Sequence, residues 1–270
     1  VVALSLPNIY TASALLAPAE SSGGGLSGLM KQYGGLASLA GVSLPGGEEG
    51  SRAQLGMQLM KSRSFISDFV ERHDILPELM AVESWDAGSG DLVFDSEAYD
   101  AASKTWVRDV EPPKFPAPST QEAHKAFLEL LGVSQDKQTG YVTISIEHHS
   151  PAIAAQWVNW LVEDINAVVK AQDVDEATKS IEYLTQQIAN TSLADLQAMF
   201  FELIQSQTET VMLAEVRPEY VFKTIDPAVV PEEKSKPSRA LICVLGTLLG
   251  GMLGVVIVLI RHYARSAAAD

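Results

Sequence analysis

Two adjacent histidines, His148 and His149, follow the alternating run YVTISIE and are by type suited to metal ligation or proton transfer. Neighbours on a strand point to opposite faces, so only one of them could face any given site, and the pair is expected on the surface or in a turn. Glu163, Asp164, Asp173, Asp175 and Glu176 imitate a catalytic carboxylate set. They fall on one long helical stretch with no partner base in sequence reach, which predicts a solvated face. Trp157 and Trp160 could stack on sugar rings, yet their helical spacing beside Leu161 predicts core positions. The glycine-rich run SSGGGLSGLM lacks the Lys-Ser or Lys-Thr that a phosphate-cradling loop requires. Cys243 is the single cysteine, which excludes an internal disulfide and a thiolate metal site and fits the periplasm or the cytosol equally. No catalytic, cofactor or metal-binding residue is therefore assigned.

The elements that must hold these residues begin with an apolar anchor. Ala240 to Ile260, ALICVLGTLLGGMLGVVIVLI, contains no charged residue. As a helix it would run roughly 31 Å, the thickness of a bilayer's hydrocarbon core. Arg239 precedes it and Arg261, His262 and Arg265 follow, where headgroups would lie. Within it Gly246, Gly250 and Gly254 share one helix face and leave backbone open to a second helix, the packing that drives association in lipid. Membrane lipid is thus an expected partner, and Lys236 and Arg239 stand where lipid phosphates or a membrane partner could meet them. The opening Val1-Val2-Ala3-Leu4 reads as the tail of another apolar segment.

The chain has 270 residues, 47% of them hydrophobic, and a formal charge of -15. Almost all the acidic excess precedes Arg239, so nucleic acid is excluded as a partner by phosphate repulsion. Tyr10 to Pro18 reads as a strand, and residues 26–39 and 52–60 as helical; Ser64 is expected to cap a helix through Val70. Glu83 to Thr120, polar and acidic with four prolines near its end, reads as an irregular excursion. Ser119 and Glu122 form a capping box opening a helix through Leu131. Tyr141 to Glu147 alternates strictly, with Val142, Ile144 and Ile146 on the buried side. Ser150-Pro151 starts a long helix whose apolar stripe reaches about Ala189 and thins at Ala171 and Val174, which marks those two as candidates for contact with another subunit. Ser192 is expected to cap a second helix that ends at Pro218, forming a hairpin, and Tyr220 to Ile225 reads as a returning strand.

The runs SPAIAAQWVNWLVEDIN, EATKSIEYLTQQI, MFFELIQSQTETVMLAEV and EYVFKTIDPAVVPEEKSKPSRALI resemble the Wzz-type polysaccharide co-polymerases, also called O-antigen chain-length determinants. Pro227, Pro231 and Pro237 match that family's proline-rich approach to its last span. The resemblance implies an α+β fold in the bacterial inner membrane with its bulk in the periplasm. It implies a base over residues 1–150 with a helical excursion, a protruding hairpin over 151–214, a returning strand and proline-rich approach over 215–239, a transmembrane helix over 240–260 and a cytoplasmic tail over 261–270. It further implies a ring-like homo-oligomer that performs no catalysis and sets the length of an undecaprenyl-linked glycan made by a partner polymerase. The tail, with Tyr263 and no nucleotide-binding motif, speaks against the branch carrying a fused tyrosine kinase. An adaptor of an exopolysaccharide or capsule export machine is the alternative, and it predicts lipoyl-like hairpins that the sequence does not display.

Overall fold

The computed structural model describes residues 7–19 and 48–238, with Val244 and Met252 beyond them. The apolar segment Ala240–Ile260, its three glycines, Arg239, the tail and residues 26–39 lie outside the described residues apart from those two positions. Among the described residues no helix is long and apolar enough to cross a membrane.

A four-stranded antiparallel sheet forms the base, in the order β6-β7-β1-β8. Its strands are β1 (Tyr10–Pro18), β6 (Leu131–Gln135), β7 (Val142–His148) and β8 (Phe222–Asp226). Period-2 alternation puts Ala12, Ala14 and Leu16 of β1 and Val142, Ile144 and Ile146 of β7 on one face, where all are buried. Helices α1 (Glu48–Met60), α2 (Arg63–Arg72), α4 (Thr120–Leu130) and the lower part of α5 (Pro151–Asn190) contribute to the same core. Their contribution is Phe65, Ile66, Phe69, Phe127, Trp157 and Leu161. Antiparallel strands with helices gathered on one face make an α+β fold. Gly56 lets α1 approach β8: a Cβ there would sit 2.9 Å from the Phe222 ring.

Local signals set several boundaries. Ser119 Oγ accepts from the Glu122 N–H while the Glu122 carboxylate accepts from the Ser119 N–H, completing the expected capping box. Those bonds and Arg108 hold the Glu122 carboxyl down at about 2. Ser150 caps α5 with Pro151 in its first turn, as its sequence predicts. At 40 residues α5 is about 60 Å long. It runs antiparallel against α6 (Ala194–Val216), and Gln197 of α6 donates to the Thr191 and Ile188 carbonyls at the close of α5.

Four expectations are corrected. Ser62, not Ser64, caps α2, accepting from the Phe65 N–H, and the helix reaches Arg72. Leu193, not Ser192, stands at the start of α6 and no side chain caps it. The stretch Glu83 to Thr120 is not irregular throughout: with Val82 it builds a hairpin of β2 (Val82–Trp85) and β3 (Leu92–Phe94), then another of β4 (Tyr99–Asp100) and β5 (Thr105–Trp106). Strands of two to four residues are too short to display a period, and these are held by Tyr99 packing its ring against Phe94 and Trp106. β6 follows α4 directly and continues β7's sheet, and a short α3 (Leu76–Met80) stands where Pro77 predicts a turn.

Candidate functional site

Helix α5 carries a polar ladder that ties the returning chain to the base. Asn159, Asn166 and Asp173 recur every seven residues, two helical turns apart, and so share one face. Tyr220 donates its hydroxyl to Asp173 at 2.8 Å. Asn166, only 4% exposed, accepts from the N–H groups of Val221 and Phe222 at 2.7 and 3.0 Å and donates to the Phe222 carbonyl at 3.1 Å. Asn159 makes the matching pair with Ala228, 3.2 Å from its N–H and 3.1 Å from its carbonyl. The two amides thus stand in for a neighbouring strand, satisfying backbone groups that would otherwise be buried unpaired. Sequence reading missed the ladder; its signal was an asparagine repeated at seven-residue spacing inside an apolar stripe.

Asp173 also pairs with Arg52 at 3.3 Å, and Arg52 lies over the Tyr220 ring. Burial and Asp173 push the Tyr220 phenol up to about 12. Asp164 accepts from Arg72 at 2.9 Å and from His73 at 3.0 Å, stitching α5 to α2. The expectation of a solvated carboxylate face is therefore corrected for Asp164 and Asp173, because partners on other elements converge on them. It holds for Glu163, Asp175 and Glu176, which are exposed, Asp175 pairing only with Lys179 one turn on. Trp157 is 1% exposed, so its ring is core and closed to sugar. Trp160 is half-buried and gives one face to the His73 ring, 4.1 Å away and nearly parallel.

His148 corrects the surface placement expected of the histidine pair. It is 4% exposed at the inner end of β7, packed against Trp157. Its Nδ1 accepts from the Ser150 N–H at 3.0 Å, so the ring proton lies on Nε2 and is donated to the Glu78 carbonyl at 3.1 Å. Burial drives its pKa down to about 4, which fixes it as a neutral junction between β7, α3 and α5 with both nitrogens engaged. His149 points the other way and is half-buried, its Nδ1 donating to the Asn8 carbonyl.

The two ends of the described base meet beside these histidines. Ile9 bridges Lys236, Thr11 donates to Ser235, and Lys234 reaches Asn8. Lys236 is held by Glu147 at 2.6 Å, which corrects the expectation that its ammonium faces lipid phosphate. Of the proline-rich segment, Pro227 is exposed, Pro231 and Pro237 are half-buried, and buried Ala228 is the point at which Asn159 clasps it. Higher up, Ala171 is exposed while Val174 packs on its own chain's core. The apolar surface left open lies mainly on α6, where Leu196, Met199, Phe201, Leu203 and Met212 are exposed, Phe201 by 60% and Met212 by 63%.

Residues 197–263 match a family model described as the G-rich domain on putative tyrosine kinases, GNVR. No curated protein sequence matches the chain. Among solved structures the chain is similar to a full-length bacterial polysaccharide co-polymerase, at 12% identity and a TM-score of 0.36 over 99% of this chain and 90% of that one. It is similar to a fragment of WzzB, a polysaccharide co-polymerase from Salmonella Typhimurium, at 12% identity and TM-score 0.30 over 85% and 100% of the two chains. A mutant of the Shigella flexneri lipopolysaccharide O-antigen chain-length regulator WzzBSF matches at 10% identity and TM-score 0.20, over 84% and 100%. The similarity read in the sequence, to Wzz-type polysaccharide co-polymerases, recurs in the names of these structures.

Proposed function

We propose that this chain regulates the length of a bacterial surface polysaccharide without catalysing its synthesis. It acts as an oligomeric scaffold in the inner membrane for a partner polymerase. The observation that carries the reading is the hairpin: a 40-residue helix anchored in an α+β base, with exposed apolar side chains along the helix that packs back on it. Solvated apolar rows of that kind mark an interaction surface, and identical copies arranged around a ring would cover them.

On this reading residues 1–150 and 215–239 form the periplasmic base, 151–214 the hairpin and 240–260 the span, with 261–270 in the cytoplasm. Pro227, Pro231 and Pro237 stiffen the link between base and span. Gly246, Gly250 and Gly254 give the span a face for a second helix. The ring gathers the undecaprenyl-linked polymer and the polymerase, and the balance between extension and release sets the length. Convergence of residues 8–11 with 234–236 supports a base that sits directly on the membrane, because two segments leaving one spot can enter the bilayer side by side.

Deleting the gene in its source bacterium and resolving the surface glycans on a gel tests the proposal. A length distribution that loses its mode and regains it with the wild-type gene is the expected result, and an unchanged distribution overturns it. The ladder that responds also separates an O-antigen regulator from the second reading, an adaptor for exopolysaccharide or capsule export, which would lower the amount of exported polymer at constant length.

A further inference from the structure

Beside the Ile9–Lys236 bridge lies a pocket of about 90 Å³, room for several water-sized groups. Its apolar walls are Ile9, Leu79, Val82 and Leu130, and its polar lining comes from Glu78, Glu147 and the two histidines. Glu78 Oε2 is buried there without a hydrogen-bond partner among the described residues. A desolvated carboxylate oxygen with no donor is costly, and burial raises the Glu78 pKa accordingly. The neighbouring imidazole cannot relieve it, since the His148 Nε2 proton goes to the Glu78 backbone carbonyl rather than to the carboxylate. The groups facing Glu78 are Asp74, which repels its charge, neutral His148, His149, and Glu147, whose charge is already matched by Lys236. The field at the orphan oxygen is negative, so the pocket rejects anions and favours a cation with N–H groups.

We propose that this pocket binds a primary ammonium on a short apolar stem, the ammonium donating to Glu78 Oε2 and the stem lying against Leu79, Val82 and Leu130. A charge-assisted N–H bond suits a buried carboxylate better than a neutral hydroxyl does. A quaternary ammonium has no N–H to donate. Two sources share this chemistry: the ethanolamine headgroup of a bilayer lipid and a small soluble amine. The lipid source rests on the reading of 240–260 as a membrane span, which would put Lys236 and the pocket beside the headgroups; the soluble source does not.

The test is titration of the full-length protein in detergent at pH 7.5 with ethanolamine, n-propanol and choline, followed by thermal unfolding. Ethanolamine is expected to raise the melting temperature saturably at millimolar concentration. Propanol and choline are expected to do nothing, and E78Q to weaken the ethanolamine response at least tenfold. Equal responses to ethanolamine and propanol, or an E78Q response equal to wild type, overturn the proposal. If E78Q fails to fold, wild type decides alone, because a binding isotherm for ethanolamine that propanol matches, or no isotherm at all, sinks the idea.

The same titration in nanodiscs separates the sources. Phosphatidylethanolamine discs, compared with phosphatidylcholine discs of equal anionic lipid content, raise the ethanolamine midpoint where the headgroup occupies the pocket and leave it unchanged where a soluble amine does. Loss of ethanolamine binding leaves the glycan ladder as evidence for the regulator, and an unregulated ladder leaves ethanolamine binding to be judged by itself.

Discussion

Asn166 holds Phe222 by both its N–H and its carbonyl, at 3.0 and 3.1 Å, across 56 residues of sequence. One buried amide on a helix therefore substitutes for a strand at the edge where β8 leaves the hairpin, and it sets the height on α5 at which the chain returns to the sheet.

Replacing Asn166 with alanine leaves the N–H groups of Val221 and Phe222 and the Phe222 carbonyl without their partner in a buried place. At about 1–3 kcal/mol for each unsatisfied group, some of it relieved by relaxation, the variant should lose about 3–5 kcal/mol. Asn159→Ala, whose partner Ala228 lies in a part-buried stretch open to water, should lose only about 1–2 kcal/mol. Urea unfolding of the two variants in detergent compares them, and equal losses would refute the difference in burial.

His148 gives the fold an acid-sensitive joint. Its pKa is about 4 when folded and about 6.5 when unfolded, so between those values the unfolded chain binds a proton that the native chain refuses. Stability contributed by the neutral ring is fully present above pH 6.5 and is lost as the pH falls to 4. The interval corresponds to about 3 kcal/mol. The fall in unfolding free energy from pH 7.5 to pH 4 should be larger in wild type than in His148→Gln by that amount, and parallel falls would show that the ring titrates normally.

Exposed positions on the hairpin should separate assembly from folding. Phe201→Asp and Leu203→Asp on α6, and Ala171→Asp on α5, alter exposed side chains and should shift unfolding by under about 0.5 kcal/mol. Sedimentation velocity should nonetheless show smaller species. Val174→Asp buries a charge against the chain's own core and should lower the unfolding midpoint as well. Wild-type sedimentation of all three exposed variants would remove the hairpin from the assembly surface.

Gly246→Leu combined with Gly250→Leu should leave the base's unfolding midpoint and the oligomer intact, because the added side chains lie far from the sheet in sequence and act only on helix approach in lipid. The glycan distribution should broaden or shorten. A wild-type ladder from this double variant would make the four-residue glycine spacing incidental.

What the sequence determined by itself is whatever a local pattern can encode. Alternation at Val142, Ile144 and Ile146 specified a half-buried strand, and Ser150-Pro151 and the Ser119–Glu122 box specified helix starts, because each signal and the structure it builds lie within a few residues. The long helix and its hairpin partner were legible for the same reason. Tertiary structure alone decided what polar residues do inside that frame. Asn159, Asn166 and Asp173 looked like interruptions of an apolar stripe, and their partners stand 69, 56 and 47 residues away. His148 looked exposed because nothing nearby in sequence announces that Trp157, the Ser150 N–H and the Glu78 carbonyl close around it. A buried polar group is tolerated only where partners converge, and convergence is a property of the packed chain rather than of any window along it.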